Sequence, residues 1–147
     1  MPTFTTTTVV DAEATVRSWA RSESHINAVV AARVFFSTPQ SYATSRPDSW
    51  ITLSLVSETF EAGDLSLQKP LVQFTCWGKD KATAASVAMA VETAARQLSY
   101  GLRATVGSAV ILTGDVQQKR WFPDATTNTP RYVVDLLFAM FGPEAAQ

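Results

Sequence analysis

Histidine and cysteine occur once each in this chain of 147 residues, as His25 and Cys76. A lone cysteine excludes an intramolecular disulfide. Together the two are too few for a zinc site built from Cys and His. Any Ser-His-Asp or Cys-His mechanism would have to run through His25. Charge is scarce as well: Asp, Glu, Lys and Arg make up 17% of the chain, and 12 Lys+Arg against 13 Asp+Glu leave a net charge of -1. That balance excludes a large basic surface for phosphate binding, though not a nearly neutral pore wall. Glycine-rich phosphate loops are missing too, because Gly101 and Gly107 are too far apart and no Lys-Ser/Thr follows them. No apolar run is long and unbroken enough to cross a bilayer. The start, Met1-Pro2-Thr3-Phe4 and four threonines, has neither a basic n-region nor an apolar h-region. The chain therefore reads as a soluble protein made in a reducing cytoplasm.

What is present is core-forming material. Hydrophobic residues are 46% of the sequence, enough to bury the interior of one domain, with no linker and no solenoid repeat. The division expected is an extended arm at 1-9, an α+β core at 10-141 and a polar tail at 142-147. Asp11 is placed to cap a helix carrying Val16, Trp19 and Ala20 on one face, ending near residues 22-24, with a further short turn around Ile26, Val29 and Val30. Arg33 to Phe36 reads as a short strand, and 37-49, with Pro39 and Pro47, as a loop without regular structure. Trp50 to Phe60 alternates as a strand, with Ile51, Leu53 and Leu55 on one side and Thr52, Ser54 and Val56 on the other. A turn at 61-64, with Gly63 at positive φ, leads to a return strand at 71-77 whose Val72, Phe74 and Cys76 share a face.

Residues 79-100 give the strongest helical pattern. Asp80 is the N-cap, Gly101 the stop, and Ala84, Val87, Ala88, Val91, Ala94, Ala95 and Leu98 form a stripe small enough for close approach to a sheet. A second hairpin is expected over 109-122 and 131-141, with a break at Gly114-Asp115, where Gly114 marks a bulge, and a loop at 123-130. The last strand is apolar on both faces and so central or covered on both sides. The expected fold is α+β: a largely antiparallel sheet of two hairpins plus a short strand, packed against the long Ala-rich helix and the N-terminal helix.

Catalytic chemistry is hard to find. His25 sits among Ser24 and Asn27 at a helix end, as capping or exposed histidines do, and Cys76 alternates with Phe74 as a buried structural cysteine. The carboxylate pairs Glu58/Glu61 and Asp115/Asp124 read as solvated turns. No catalytic, cofactor-binding or metal-ligating residue is assigned, and no cofactor is expected. The aromatic residues carry more information. Trp50, Trp77, Trp121 and Phe122 fall at strand ends, where large rings serve either as core caps or as interface anchors. Arg46 and Trp50 on one side, and Arg120, Trp121 and Phe122 on the other, are the candidate residues of a subunit or partner interface.

The order of elements resembles the tail-terminator (tail-completion) proteins of long-tailed bacteriophages. The pieces that carry the resemblance are the N-terminal helix followed by Arg33-Val34-Phe35-Phe36, a Pro-bearing loop and Trp50-Ile51-Thr52-Leu53. Val72-Gln73-Phe74-Thr75-Cys76-Trp77 then runs into the Ala-rich helix Ala82 to Leu98, and Arg131-Tyr132-Val133-Val134-Asp135-Leu136 closes the pattern. It spans roughly residues 10-141; the loop Pro123 to Pro130 lies outside it. The resemblance implies a non-enzymatic virion protein of the tail or neck, assembled in the host cytoplasm. Such a protein forms a homo-oligomer, a hexameric ring, at the head-proximal end of the tail tube. There it stops tube polymerisation, meets the tail tube protein and the head-tail connector or stopper protein, and lets DNA pass through its lumen without sequence-specific binding; no membrane is involved. Other neck or tail components, a stopper or a tube subunit, have similar hairpin-rich layouts. A small α+β enzyme or ligand-binding domain is the alternative of another class, disfavoured by the shortage of His, Cys and clustered acids.

Overall fold

Asp11 starts the first helix by a local device. Its carboxylate accepts the Ala14 N–H at 3.1 Å, and Glu13 adds negative charge to the first turn. The computed structural model describes residues 8–61 and 67–143, so the expectation of a positive φ at Gly63 lies outside the described residues, as does most of the expected arm. Helix α1 (Ala12–Ser22) buries Val16, Trp19 and Ala20 and ends where Glu23 turns extended. Glu23 then caps α2 (Ser24–Val30) by accepting the Ile26 N–H at 3.0 Å. His25 is exposed beside that cap, its Nδ1 2.8 Å from Glu23 Oε1.

Strand β1 is shorter than expected, only Val34–Phe35. The following loop contains one turn of 3₁₀ helix at Gln40–Ala43, where irregular structure was expected; Pro39 precedes it and leaves the i→i+3 bonds intact. Strands β2 (Ser49–Phe60) and β3 (Gln68–Gly78) form the antiparallel hairpin, with Trp50 opposite Trp77 and Leu53 opposite Phe74. The simple alternation expected along β2 fails after Leu55, because a bulge between Leu55 and Ser57 shifts the register.

Helix α3 (Lys81–Ser99) begins at Asp80, whose carboxylate accepts the Thr83 N–H at 2.7 Å. All seven residues of the apolar stripe are buried. The start of the helix rests directly on the end of β3 at Gly78: a Cβ there would collide with the Ala84 main-chain nitrogen and come within 2.9 Å of its Cα. Gly101, at φ +87°, ends the helix in the left-handed region.

The last third differs from expectation in two ways. A three-residue strand β4 (Ala104–Val106) turns through Gly107-Ser108 into β5 (Ala109–Trp121). Strand β5 is continuous through Gly114, which stays in register opposite Phe138. Its irregularities lie instead between Ile111 and Thr113 and between Val116 and Gln118. Packing leaves little room at Gly114: a Cβ would sit 3.2 Å from both Leu98 Cδ1 and the Phe138 ring. Strand β6 (Arg131–Phe141) is central, as expected, between β3 and β5.

The result is an α+β fold with one curled six-stranded sheet in the order β1-β2-β3-β6-β5-β4. Among the described strands only β1 runs parallel to its neighbour. The three helices cover one face, where Val16, Trp19, Phe74 and Phe138 join α3 in a single core. Trp19 meets Phe138 edge-on at 5.5 Å between centroids. Each of these large side chains contributes on the order of 2–3 kcal/mol by burial.

Residues 8-10, expected in and next to a loose arm, are tied to the sheet. The Thr8 N–H donates to the Pro143 carbonyl at 2.6 Å. Gln68, itself fully buried, clasps Val10 by accepting its N–H at 2.9 Å and donating to its carbonyl at 3.1 Å.

Candidate assembly interface

The hairpin register brings together aromatic residues that are distant in sequence. Because Trp50 faces Trp77 across β2 and β3, their rings stack at 5.5 Å with only 6° between planes. Tyr42, from the 3₁₀ turn, packs edge-on against Trp50 at 5.3 Å. On the far side the Arg131 guanidinium lies 5.0 Å from the Trp77 ring and 5.2 Å from the Phe122 ring. The series Tyr42-Trp50-Trp77-Arg131-Phe122 therefore spans one end of the sheet. Beside it lies an open cavity of about 230 Å³ between loops 37-48 and 123-130. Arg46 donates to Thr129 Oγ1 at 3.0 Å and ties the two loops together. Asp124 organises the second loop: it accepts the Thr126 N–H at 3.0 Å and the Thr127 hydroxyl at 2.9 Å, bonds that hold its carboxyl below the usual carboxylate range.

The helix-free face of the sheet carries a shallow trough of about 530 Å³ lined by Leu71 and Leu137 together with Ser57, Thr59, Gln117 and Gln118, around Lys69 and Asp135. Its charges are paired: Lys69 with Glu61, and Asp135 with Arg120 at 3.5 Å. Hydroxyls and amides make up the rest of its polar lining. Among the described residues no group of three or more His, Cys, Asp or Glu is placed to hold a metal. Cys76 is fully buried, and burial pushes its thiol far above the usual range. No helix among the described residues is long and apolar enough to cross a membrane.

The outer edges of the two long border strands are bare over most of their length. Strand β1 covers only Ile51 and Thr52 of β2, and β4 covers only Ala109 to Ile111 of β5. Beyond those points neither border strand has a strand partner on its outer side among the described residues. Exposed apolar side chains line both, Leu55, Val56 and Phe60 on β2 and Val116 and Trp121 on β5. Unpaired edges with such side chains are templates for pairing with another chain.

The fold is similar to that of a chain in the virion of a native gene transfer agent (GTA) particle. The likeness covers 89% of this chain and 95% of that chain, with a TM-score of 0.61 and 15% sequence identity. At that identity what is shared is the fold. No protein-family model and no curated protein sequence matches the chain.

Against this geometry the five candidate interface residues separate into three environments. Trp50 is only 3% exposed, so its ring is committed to contacts within the subunit. It and Arg46 line the same end cavity. Phe122 joins that end through Arg131 and is exposed. Arg120 pairs with Asp135 toward the trough. Trp121 points to the helix side, its ring 5.1 Å from Tyr132 and under Lys81 Nζ at 4.8 Å. Of the residues assigned to the second side, only Phe122 thus joins Arg46 and Trp50 at that end of the sheet. Arg131 and Tyr42 were not singled out in the sequence, and Trp77 was noted as a strand-end ring but not among the five candidates. The signal for Trp77 was its place in the return strand, but pairing it with Trp50 required the hairpin register.

Proposed function

We propose that this chain is a structural virion protein: a tail terminator that forms a homohexameric ring at the head-proximal end of a phage-like tail tube. In this role it stops tube polymerisation and offers its other surface to the head-side connector or stopper. The observation that carries the reading is the fold likeness to a virion chain, nearly end to end on both sides. Two features of the subunit add support. A ring needs heterologous contacts that close, and the two bare border strands are unlike surfaces at opposite edges of one sheet. The trough, with its charges paired, suits a lumen wall along which DNA slides, since unpaired cations would hold phosphates. The role requires no turnover and no cofactor.

Bare edges also suit a tube subunit, which would stack without stopping. One experiment separates the two. The purified chain is sized by chromatography with light scattering and imaged by negative stain, then added to polymerising tube protein. A terminator gives closed rings of about six copies, alone or on tube ends, and tubes whose growth stops. Long cylinders of the chain alone indicate a tube subunit. A monomer that leaves tube length unchanged rejects both.

A further inference from the structure

The two border strands run in opposite directions, and this decides how copies can join. Along the sheet β2, β3, β6 and β5 alternate in direction without interruption. A second copy related by rotation about an axis along the strands lays its β5 antiparallel to the first copy's β2, so the alternation continues from copy to copy. The strands match in length, 12 residues in β2 and 13 in β5. Main-chain direction matches too. The Ile51 N–H points outward to the Arg33 carbonyl at 3.0 Å, and strand alternation turns the Leu55 N–H outward as well. On β5 the Gly114 carbonyl points outward, accepting the Ser99 hydroxyl at 3.0 Å, and Val116 follows in the same sense.

The β2 edge is occupied at one point. The Leu55 N–H donates to Glu13 Oε2 at 2.7 Å, from the first turn of α1. This carboxylate stands where a neighbouring strand's carbonyl would bond.

We propose that the outer edge of β2 receives the outer edge of β5 from a second copy of this chain, and that Glu13 guards the β2 edge until it is displaced. The proposal rests on the ring reading above and adds which surfaces join and what keeps free subunits apart. A charge-assisted bond to one main-chain donor competes directly with strand pairing, which an unguarded apolar edge would otherwise enter unchecked.

The test is self-association of the full chain by light scattering across a concentration series. Glu13→Ala leaves the Asp11 cap in place, suits a helix, and leaves the exposed Leu55 N–H to water. It lowers the concentration at half-assembly about tenfold or more. Glu13→Gln, which keeps an acceptor without charge, falls between. A second readout identifies the edges. Val56→Cys chains are mixed with Val116→Cys chains and joined with a short bis-maleimide, the unsubstituted chain with its buried Cys76 serving as control. Adducts joining Val56→Cys to Val116→Cys in preference to like pairs bear the proposal out. Rings whose adducts join like to like, or an unchanged half-assembly concentration in Glu13→Ala, overturn it while the ring reading stands. No oligomer in either chain also overturns the guard, and tube capping then decides the ring reading on its own.

Discussion

Replacing Trp121 with alanine separates what this ring does inside the subunit from what it does between subunits. Trp121 is 37% exposed, so roughly two-thirds of it is covered. A fully buried tryptophan removes about 150–250 Å² from water, so some 100–160 Å² is at stake, worth about 2.5–4 kcal/mol at ~25 cal/mol/Å². Alanine keeps a small part, and a compact unfolded state lowers the figure by about 10–40%. The Lys81 ammonium over the ring adds about 0.5–1 kcal/mol at a surface site. The expected loss is about 2–3 kcal/mol, which a domain of this size survives folded, with a fall in Tm of about 5–10 °C. Thermal melting followed by circular dichroism measures it, and a double-mutant cycle with Lys81→Ala isolates the cation–π share. Assembly is then measured well below the lowered Tm, where the variant is folded. Weaker ring formation there belongs to the interface. A stability loss below about 0.5 kcal/mol would refute the packing against Tyr132, and a variant that does not fold would make Trp121 a core residue.

Four further outcomes test the packing that sets up these surfaces. Gly78→Ala drives a Cβ into the Ala84 backbone and costs more than the ~1–3 kcal/mol of ordinary overpacking, since a helix must move; urea unfolding reads it as a lower midpoint. Gln68→Leu leaves the Val10 N–H and carbonyl without their partner and costs about 1–3 kcal/mol, with faster amide exchange at residues 8-10 as the site-specific readout. Ala31 holds φ +53°, so Ala31→Gly relieves strain and raises stability by about 1 kcal/mol in denaturant unfolding. Asp80 is held below the usual carboxylate range, first by the Thr83 N–H. Its contribution is therefore present above the unfolded-state value and lost as pH falls through the depressed folded one. Asp80→Ala accordingly lowers Tm at neutral pH, and the difference from the unsubstituted chain closes in acid.

The parts of the fold legible in the sequence are those set by local chemistry repeated over many residues. The α3 stripe, its Asp80 cap and its Gly101 stop are signals within one element, and all were readable. So was the central place of β6, because apolar residues on both faces have few other solutions. What was not legible depends on a neighbour. Gly114 suggests a bulge when read along its own strand, yet its lack of a side chain answers Leu98 and Phe138 from other elements. Strand β4 is three residues long and is held by its pairing with β5, too short for a period to register. Gln68 gives no sign in the sequence that it will be buried as a clasp for a segment nearly sixty positions away.

The candidate site follows the same division, and the division bears on function. Trp50, Trp121 and Phe122 were found as large rings at strand ends, but whether such a ring faces a partner or its own chain is set by register. Register stacks Trp50 on Trp77 and spends it within the subunit. The surfaces left for a partner are defined less by side-chain identity than by main chain without a partner: the outer edges of β2 and β5 among the described residues. No residue pattern announces a bare edge, because it arises from how far β1 and β4 fail to extend along their neighbours. The proposed edge-to-edge pairing would need little chemistry from side chains, and a low charge, a single histidine and a single cysteine are compatible with it.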